Sequence, residues 1–443
     1  MSLGPRSALD SGRRAAGPAA RAVLAACLAA GILWSLLAPR PADARRLFVP
    51  KEHRTIQAAI DAASPGDTVW VGAGVYPGGI RITKSLVLFG DAGQDSTILD
   101  GGDSVRVVHV EGVKGGHLLG FTVRRGKAPG GGGIYCLRDT SFNISSCKIE
   151  KNWESGIAAW QTSGFGVIDN VFRENEGSGL ALHASIAFIR TDQFFGNRAP
   201  SGGGIWLEDS QLVGGTHDCL FQDNRAEAGS GGAVFADSSA FSIDASTFRG
   251  NQASVAGGAV SAMGGSQATV GHSLFSRNSA PSGAAIHSDQ ALVNIGFSIF
   301  DRNHSIAAAA AVQVIGRGIA NVNPLITDNT FFKNSSDGEG AAIYCQLVSP
   351  EIRKNIFVVE GSVKAVLGPD SAPLFDCNLI YDPTGAALGS LPSANTLVGD
   401  PRLCDPEQGD FRVRDLSPAY LAACGPVGAL KKPCTSFKML PAR

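Results

Sequence analysis

The sequence is poor in charged and aromatic residues and has few methionines. Charged residues make up 17% of the 443 positions and aromatic residues 7%, and there are three methionines. This composition excludes a long coiled coil and a disordered chain of one charge sign, because both need many more charged residues. Glycine, by contrast, occurs 56 times. Frequent glycine with few charges favours many short strands joined by tight turns.

Several well-known functional motifs are missing. The sequence contains no Gly-x-Ser-x-Gly elbow, no Gly-x-Gly-x-x-Gly loop, no His-Glu-x-x-His and no Cys-x-x-Cys. Eight scattered histidines and three methionines give little support for copper or zinc, so we predict no such metal site. No basic patch stands out, which argues against nucleic acid as a partner.

The first 44 residues differ from the rest of the chain. Arg13, Arg14 and Arg21 precede an apolar run over residues 22–38, and the small-x-small segment 42–44 follows it. This order predicts a signal peptide over residues 1–44, cut after Ala44, and therefore a secreted or cell-envelope protein. The alternative is an uncleaved membrane anchor, for which the run is at the short end. We expect no other contact with a membrane.

Cysteine usage agrees with export. Without residues 1–44 the chain keeps 33 of 38 basic and 37 of 39 acidic residues, a net charge of −4, and eight of its nine cysteines. An even number of cysteines in an exported chain favours disulfides. Cys404, Cys424 and Cys434 crowd the tail, where we expect at least one pair.

An internal repeat runs through most of the chain. One asparagine recurs at intervals of 23, 22, 27, 27, 27, 25 and 31 residues, and a bulky apolar residue lies three positions before each. The asparagines are Asn152, Asn175, Asn197, Asn224, Asn251, Asn278, Asn303 and Asn334. The apolar residues are Ile149, Phe172, Phe194, Phe221, Phe248, Phe275, Phe300 and Phe331.

Small or polar residues lie five positions before each asparagine, and residues that are mostly β-branched lie eight before it. The offsets of three and five differ by two, the period of a strand, whereas a helix needs 3.6. Equivalent positions therefore stack in parallel register. The pattern predicts an all-β fold, a right-handed parallel β-helix over residues 45–380. Stacked asparagines then form hydrogen-bonded ladders and tolerate left-handed turns.

Both ends of such a solenoid need a cover, because open strand edges would pair with other chains. Residues 55–63 have an apolar helical face, and Thr55 suits an N-cap, so we expect an N-terminal capping helix. Residues 68–71 are expected to form the first strand. After residue 380 the repeat is lost, and residues 381–443 are expected to form an irregular C-terminal cap.

Short segments carry a resemblance to a known family. Thr55-Ile56-Gln57-Ala58-Ala59-Ile60-Asp61-Ala62-Ala63, Gly66-Asp67-Thr68-Val69 and Gly74-Val75-Tyr76 resemble the opening of the pectin-lyase-like superfamily. The Phe-x-x-Asn coils resemble its bacterial right-handed parallel β-helix repeat proteins. The resemblance implies the β-helix fold and, because the superfamily includes pectate lyases, polygalacturonases and alginate epimerases, a polysaccharide partner.

The catalytic signatures of those enzymes are missing. The sequence has no Asn-Thr-Asp, no Asp-Asp pair, no Arg-Ile-Lys, no Asp-Phe-Ile-Phe-Gly and no Asp-Pro-His. Whether the protein is an enzyme therefore stays open. If it is one, the resemblance implies a polysaccharide lyase, a glycoside hydrolase or an epimerase.

Strand alternation sends two columns of side chains outward after each glycine turn. The first column is Tyr135, Ala158, Ala181, Trp206, Phe235, Ser261, His287, Gln313 and Tyr344. The second column is Leu137, Trp160, His183, Glu208, Asp237, Met263, Asp289, Ile315 and Gln346. Aromatic rings stack on sugars and carboxylates accept their hydroxyl hydrogen bonds. We therefore expect one exposed groove that binds an extended glycan, lined by Trp206, Glu208, Phe235, Asp237, His287 and Asp289.

Glu208 and Asp237 are the candidate catalytic residues. They lie one coil apart, so their backbones are expected ~5 Å apart, and retaining glycosidases hold two carboxyl groups at about that separation. Such a pair can instead bind Ca²⁺, the one cofactor we consider, or share a proton. The alternative is an ordinary solvated face, since charges and single aromatics are common on surfaces.

Two functions stay open from the sequence. One is an exported protein that binds, and in some form processes, polysaccharide. The other is a non-catalytic surface or structural scaffold. The outward aromatic and acidic residues favour the first, and the missing signatures and small outward residues, such as Ala158, Ala181 and Ser261, favour the second.

Overall fold

A computed structural model describes residues 44–307, 309–316, 323–338, 340–360, 363–383 and 395–434. The predicted signal peptide lies outside the described residues. The described chain winds into a right-handed parallel β-helix, as predicted, and successive coils add strands to three long parallel sheets. Within these ranges, no helix is long and apolar enough to cross a membrane.

The three long sheets contain 14, 12 and 14 described strands. The strands of sheet 1 are Arg46–Val49, Thr68–Val71, Val87–Gly90, Lys114–Leu119, Thr140–Ser145, Phe165–Ile168, Ile186–Arg190, Gln211–His217, Ala240–Asp244, Gln267–Gly271, Leu292–Gly296, Leu325–Thr327, Glu351–Arg353 and Leu374–Asp376. The strands of sheet 2 are Ile80–Ile82, Val108–Glu111, Ile134–Leu137, Ile157–Trp160, Leu180–His183, Ile205–Glu208, Val234–Asp237, Val260–Met263, Ile286–Asp289, Ala309–Ile315, Ala341–Gln346 and Lys364–Leu367. The strands of sheet 3 are Gly74–Pro77, Thr97–Asp100, Thr122–Arg124, Lys148–Glu150, Val171–Arg173, Gln193–Phe195, Leu220–Gln222, Thr247–Arg249, Leu274–Ser276, Ile299–Asp301, Thr330–Phe332, Ile356–Val358, Leu379–Tyr381 and Leu397–Val398.

Smaller elements complete the described fold. Sheet 4 is a row of two-residue strands in the loops between sheets 3 and 2: Arg198–Ala199, Arg225–Ala226, Gln252–Ala253, Ser279–Ala280, His304–Ser305 and Ser335–Ser336. An antiparallel pair near the C-terminus consists of Leu403–Asp405 and Asp410–Val413. The helices are the α-helix Ile56–Ala62 and the 3-10 turn Pro406–Gln408.

The predicted apolar column is a continuous stack of phenylalanine rings inside sheet 3. Adjacent ring centroids from Phe172 to Phe357 lie 4.6 to 5.0 Å apart, with planes 2 to 8° from parallel. Every ring in the stack is fully buried. The parallel register imposes this geometry, because each ring lies about one strand spacing from the next.

The asparagine ladder is confirmed, but the left-handed turn lies one residue earlier than predicted. The side-chain Nδ2 of Asn224 donates to Oδ1 of Asn251 at 3.0 Å, and Asn251 donates to Asn278 at 2.9 Å. No asparagine of the ladder has a positive φ, whereas the residues just before them do, as at Lys151 (φ 54°) and Arg277 (φ 55°). The ladder therefore requires asparagine for its side-chain amide, which forms a hydrogen bond to the next coil.

The N-terminal helix is confirmed. Thr55 is its N-cap, and the side chain accepts a hydrogen bond from the Ala58 amide at 3.1 Å. The prediction that residues 68–71 form the first strand is wrong, because another strand precedes them. Arg46–Val49 comes before the helix and pairs in parallel with Thr68–Val71. This pairing escaped prediction because it joins residues on either side of the helix.

The C-terminal segment packs on the outer face of sheet 3. Phe411 meets Phe332 edge to face at 5.6 Å, and the Gly428 amide donates to the Lys354 carbonyl at 2.8 Å. Disulfide Cys404–Cys434 lies within the segment, which confirms pairing in the tail, and Cys377–Cys424 ties the segment to the last coils. The attachment follows from apolar outward positions in the last coils, such as Phe332 and Val358, which are buried under it.

Candidate functional site

The two outward columns exist in sheet 2. Trp206 pairs with Phe235, Phe235 with Ser261, and Ser261 with His287, while Glu208 pairs with Asp237. Strand alternation alone thus locates the outward positions of this sheet correctly. It does not decide which of them reach solvent.

The predicted exposed groove does not extend over the later coils. Ser261 is fully buried and His287 is only 7% exposed, with its Nδ1 2.9 Å from Gln313 Oε1. Glycine turns of the preceding loops lie directly over these residues. A Cβ at Gly257 would be 2.9 Å from Ser261 Cβ, and a Cβ at Gly283 would be 3.2 Å from His287 Cα. The expectation that His287 lines an exposed groove is therefore wrong.

A notch opens instead over two earlier coils. The loops there, residues 153–156 and 176–179, are shorter than loops 198–204 and 225–233 of the following coils. Short loops leave room beside the outward face of sheet 2, whose first column has small, buried side chains at this point, Ala158 and Ala181. The result is a cavity of about 550 Å³.

This cavity, here called the notch, is lined by residues from neighbouring coils. They are Gly130, Trp153, Glu154, Ser155, Ala158, Trp160, Glu176, Gly177, Ser178, Ala181, His183, Ala199, Pro200, Trp206 and Glu208. Three of the five tryptophans in the chain are among them. This volume lies within the usual range for small-molecule sites.

One wall of the notch is aromatic. The rings of Trp160 and His183 stack with centroids 3.8 Å apart and planes 9° from parallel. Trp206 meets the His183 ring edge to face at 5.3 Å. Across the notch, Trp153 belongs to a short loop, and its backbone bridges to Glu176 one coil on. Trp153 and Trp160 are 38% and 36% exposed, which is high for tryptophan and leaves ring surface available to a ligand.

Three carboxylates surround these rings. Glu208 Oε2 lies 2.8 Å from His183 Nδ1. Glu154 accepts hydrogen bonds from the Gly130 and Gly131 amides, the latter at 3.0 Å. Glu176 lies on the exposed rim. The pair formed with His183 holds the Glu208 side chain at the wall, although the carboxylate itself stays about half exposed.

Two polar groups at the notch lack a partner within the described part of the chain. The Ser178 hydroxyl and the Trp206 indole Nε1 are both buried without a hydrogen bond. Ser178 is only 2% exposed. Buried polar groups normally find a partner, so an unpaired donor at the edge of a cavity suggests that a ligand supplies one.

Of the six predicted site residues, the structure places two at the notch and four elsewhere. Trp206 and Glu208 line the notch, whereas Phe235, Asp237, His287 and Asp289 are not among its lining residues. Glu208 is bonded to His183 instead, and Asp237 Oδ1 accepts a hydrogen bond from Ser238 Oγ at 3.1 Å. The described residues contain no group of three or more acidic, histidine or cysteine side chains placed to hold a metal ion. Ca²⁺ binding by Glu208 and Asp237 stays a prediction.

The sequence contained an overlooked signal for the notch. Asparagine intervals of 23 and 22 residues mark the two coils with short loops, against 27 in each of the next three. The same two coils carry alanine in the first outward column. A short coil with a small outward residue is thus a pattern that predicts an opening on the surface of a β-helix.

Comparisons with known proteins agree with the fold. The family model for the right handed beta helix region matches residues 108–272, and a Chlamydia polymorphic membrane protein repeat matches residues 330–346. No curated protein matches the sequence. Residues 108–272, which match that family model, form part of the right-handed parallel β-helix described above.

Similar solved structures include three polysaccharide-acting proteins. The PL6 family alginate lyase AlyGC is 13% identical, with a TM-score of 0.47, over 88% of this chain and 57% of that one. A thermostable GH87 alpha-1,3-glucanase from Streptomyces thermodiastaticus is 14% identical, with a TM-score of 0.37, over 82% and 69%. The Azotobacter vinelandii mannuronan C-5 epimerase AlgE6 A-module is 15% identical, with a TM-score of 0.36, over 78% and 94%. At these values the comparison bears on neither substrate nor reaction.

Proposed function

We propose that the notch is a carbohydrate-binding site and that the protein acts on or attaches to a glycan outside the cytoplasm. The observation that carries the proposal is the combination of three tryptophans with hydrogen-bonding side chains around one open cavity. Tryptophan offers a flat apolar face with a polar edge, which suits a sugar ring. Glu208, Glu176 and Ser178 are placed to bond hydroxyl groups.

The notch suits a short stretch of glycan. It spans three successive strands of sheet 2, two strand spacings or ~10 Å along the solenoid, and the longer loop containing Ala199 and Pro200 borders it. The proposal therefore differs from the extended groove predicted from the sequence. A longer glycan would continue past Trp206 toward Phe235 and Asp237, which lie on the next coil.

Export is part of the proposal. One disulfide lies within the C-terminal segment and a second ties that segment to the last coils, and disulfides persist in oxidising compartments outside the cytoplasm. The predicted signal peptide over residues 1–44 agrees with this location. A secreted or cell-envelope protein would meet polysaccharide there.

Binding to a panel of oligosaccharides, measured on a glycan array and then by calorimetry, tests the proposal. We expect Trp160→Ala and Trp206→Ala each to weaken binding at least about tenfold, because stacking of the sugar on the aromatic wall is lost. Phe188→Ala is the matched control, since Phe188 is an exposed aromatic residue of sheet 1.

Two results would contradict the proposal. One is unchanged affinity in a Trp160→Ala, Trp206→Ala double variant that keeps its fold. The other is the lack of binding to any glycan of the panel, which would favour the alternative function, a non-catalytic surface scaffold.

A further inference from the structure

The charges around the notch have one sign. Its lining residues include Glu154, Glu176 and Glu208, and no lysine or arginine. His183 is the only basic side chain in the set, and its Nδ1 is turned toward Glu208. A chain of uronate sugars would bring further carboxylates against these three, at a cost that grows as water is excluded.

Basic residues near the notch do not reverse the negative charge of its lining. The Arg106 guanidinium lies 4.3 Å from the centroid of the Tyr135 ring and donates to the Gly131 carbonyl, beside Glu154. Lys151 and Arg198 share a separate surface depression with Glu176, on the outer side of the loops. These cations neutralise Glu154 and Glu176 in part from outside, while Glu208 faces the tryptophan wall.

The aromatic wall adds an independent preference for positive charge. The face of an indole ring attracts a cation that lies within about 6 Å of its centroid. Trp153 and Trp160 both offer exposed ring surface next to the carboxylates. The buried Ser178 hydroxyl, which has no partner in the described chain, gives the ligand a fixed hydrogen-bonding point.

We infer that the notch selects a glycan that contains a protonated amino sugar over neutral and uronate glycans. The inference rests on the proposed function and adds the class of sugar. In this arrangement the ammonium group lies between the tryptophan wall and Glu208 or Glu176, while the sugar ring stacks on tryptophan and a hydroxyl or the ammonium group bonds Ser178.

Calorimetry with three oligosaccharides of equal length tests the inference, at one pH where the amines are protonated. The probes are a glucosamine oligomer, the matching N-acetylglucosamine oligomer and a galacturonate oligomer. We expect the glucosamine oligomer to bind about tenfold more tightly than its acetylated form, and the galacturonate oligomer not to bind. Added salt should weaken binding of the glucosamine oligomer more than that of the acetylated one.

Variants separate charge from stacking. We expect the double variant Glu176→Gln, Glu208→Gln to bring the two glucosamine-type oligomers to similar affinity, whereas Asp91→Asn, an exposed carboxylate far along sheet 1, changes neither. If the acetylated and free oligomers bind the wild-type protein equally, the proposed function stands and the amino-sugar assignment is wrong. Equal binding of a tri-lysine peptide would also overturn the assignment, because the notch would then recognise charge alone. If none of the probes and no panel glycan binds, both proposals fail.

Discussion

The same face of sheet 2 is open over one pair of coils and closed over another. At strands Ile157–Trp160 and Leu180–His183 the outward side chains line the notch, while those of Val260–Met263 and Ile286–Asp289 do not, although the first outward residue is buried in all four strands. The interior is continuous through both pairs, because the apolar column that starts at Ile149 and continues as the phenylalanine stack, together with the asparagine ladder, passes through both. The interior repeat and the exterior surface are therefore set by different parts of each coil.

The closed coils owe their cover to longer loops. Each of these loops adds a strand to sheet 4, in which the buried alanines Ala226, Ala253 and Ala280 pack on one another. In the open coils the loop is too short for such a strand. A few extra residues per loop thus decide whether a β-helix face is a wall or a binding site.

The largest expected effect comes from the interior that both regions share. Phe248→Asp should unfold the central coils, because an unpaired carboxylate in the ring stack costs several kcal/mol, roughly. Asn251→Ser should be milder, since it removes the amide bonds to Asn278 and Phe221 and leaves the stack intact. Thermal unfolding followed by circular dichroism measures both. Equal, small losses of stability would contradict the interior role of Phe248.

The interior also predicts a dependence on pH. Asp192 is fully buried and belongs to the column of small or polar residues that lie five positions before each ladder asparagine. Its Oδ1 accepts two hydrogen bonds from Asn170, and burial raises the pKa of the carboxyl to about 8. The folded protein then keeps this proton up to about pH 8, whereas the unfolded chain releases it near the ordinary value of 3.8. The stability that this proton contributes is complete below pH 3.8 and is lost as the pH rises to about 8.

Asp192→Asn should remove that dependence. The amide needs no proton to stay neutral, so the variant should be more stable than wild type at pH 8 and above, by up to several kcal/mol, roughly. Melting temperatures of both proteins across pH 5 to 9, about the range that matters, measure the effect. A wild-type protein that gains stability relative to the variant as the pH rises would show that Asp192 is ionised in the fold.

A matched pair of substitutions tests the comparison between open and closed coils directly. Ala181 and Ser261 occupy the same outward column. Ala181→Leu should project into the notch and abolish glycan binding with little loss of stability. Ser261→Leu should collide with the turn at Gly257 and cost about 1–3 kcal/mol.

Melting curves and calorimetry of the two variants give the answer. Equal destabilisation by both would mean that the first column is closed throughout. Full retention of binding in Ala181→Leu would move the glycan site away from the notch.

Much of the fold was predictable because it follows from spacing. The inward columns, the parallel register and the N-terminal helix with its Thr55 cap all appear where the repeat indicated. The strand Arg46–Val49 and the left-handed residue before each ladder asparagine were missed. Neither has a residue pattern of its own, since the first depends on pairing across the helix and the second on the backbone of a corner that many residue types adopt.

The candidate site was predictable in part. Trp206 and Glu208 were found because strand alternation sends them outward, whereas Trp153, Trp160 and His183 were missed as members of the site. Trp153 lies in a loop, where the alternation of strand side chains does not apply. Trp160 and His183 form one wall of the site because their rings stack on each other. His287 was wrongly expected to be exposed, because alternation gives the direction of a side chain and not what lies above it.

Spacing along the chain was enough to predict the solenoid, its register and the direction of the side chains in the repeated strands, because these depend on a period of two within a strand and on the stacking of like residues. Where the surface opens depends on contacts between coils, which the folded chain alone reveals. Trp153, Trp160 and Trp206 come from three successive coils, and they share one cavity because the loops of two coils are short and the side chains of Ala158 and Ala181 between them are small. A ligand site of this kind depends on the length of neighbouring loops, which acts across coils and not along the chain.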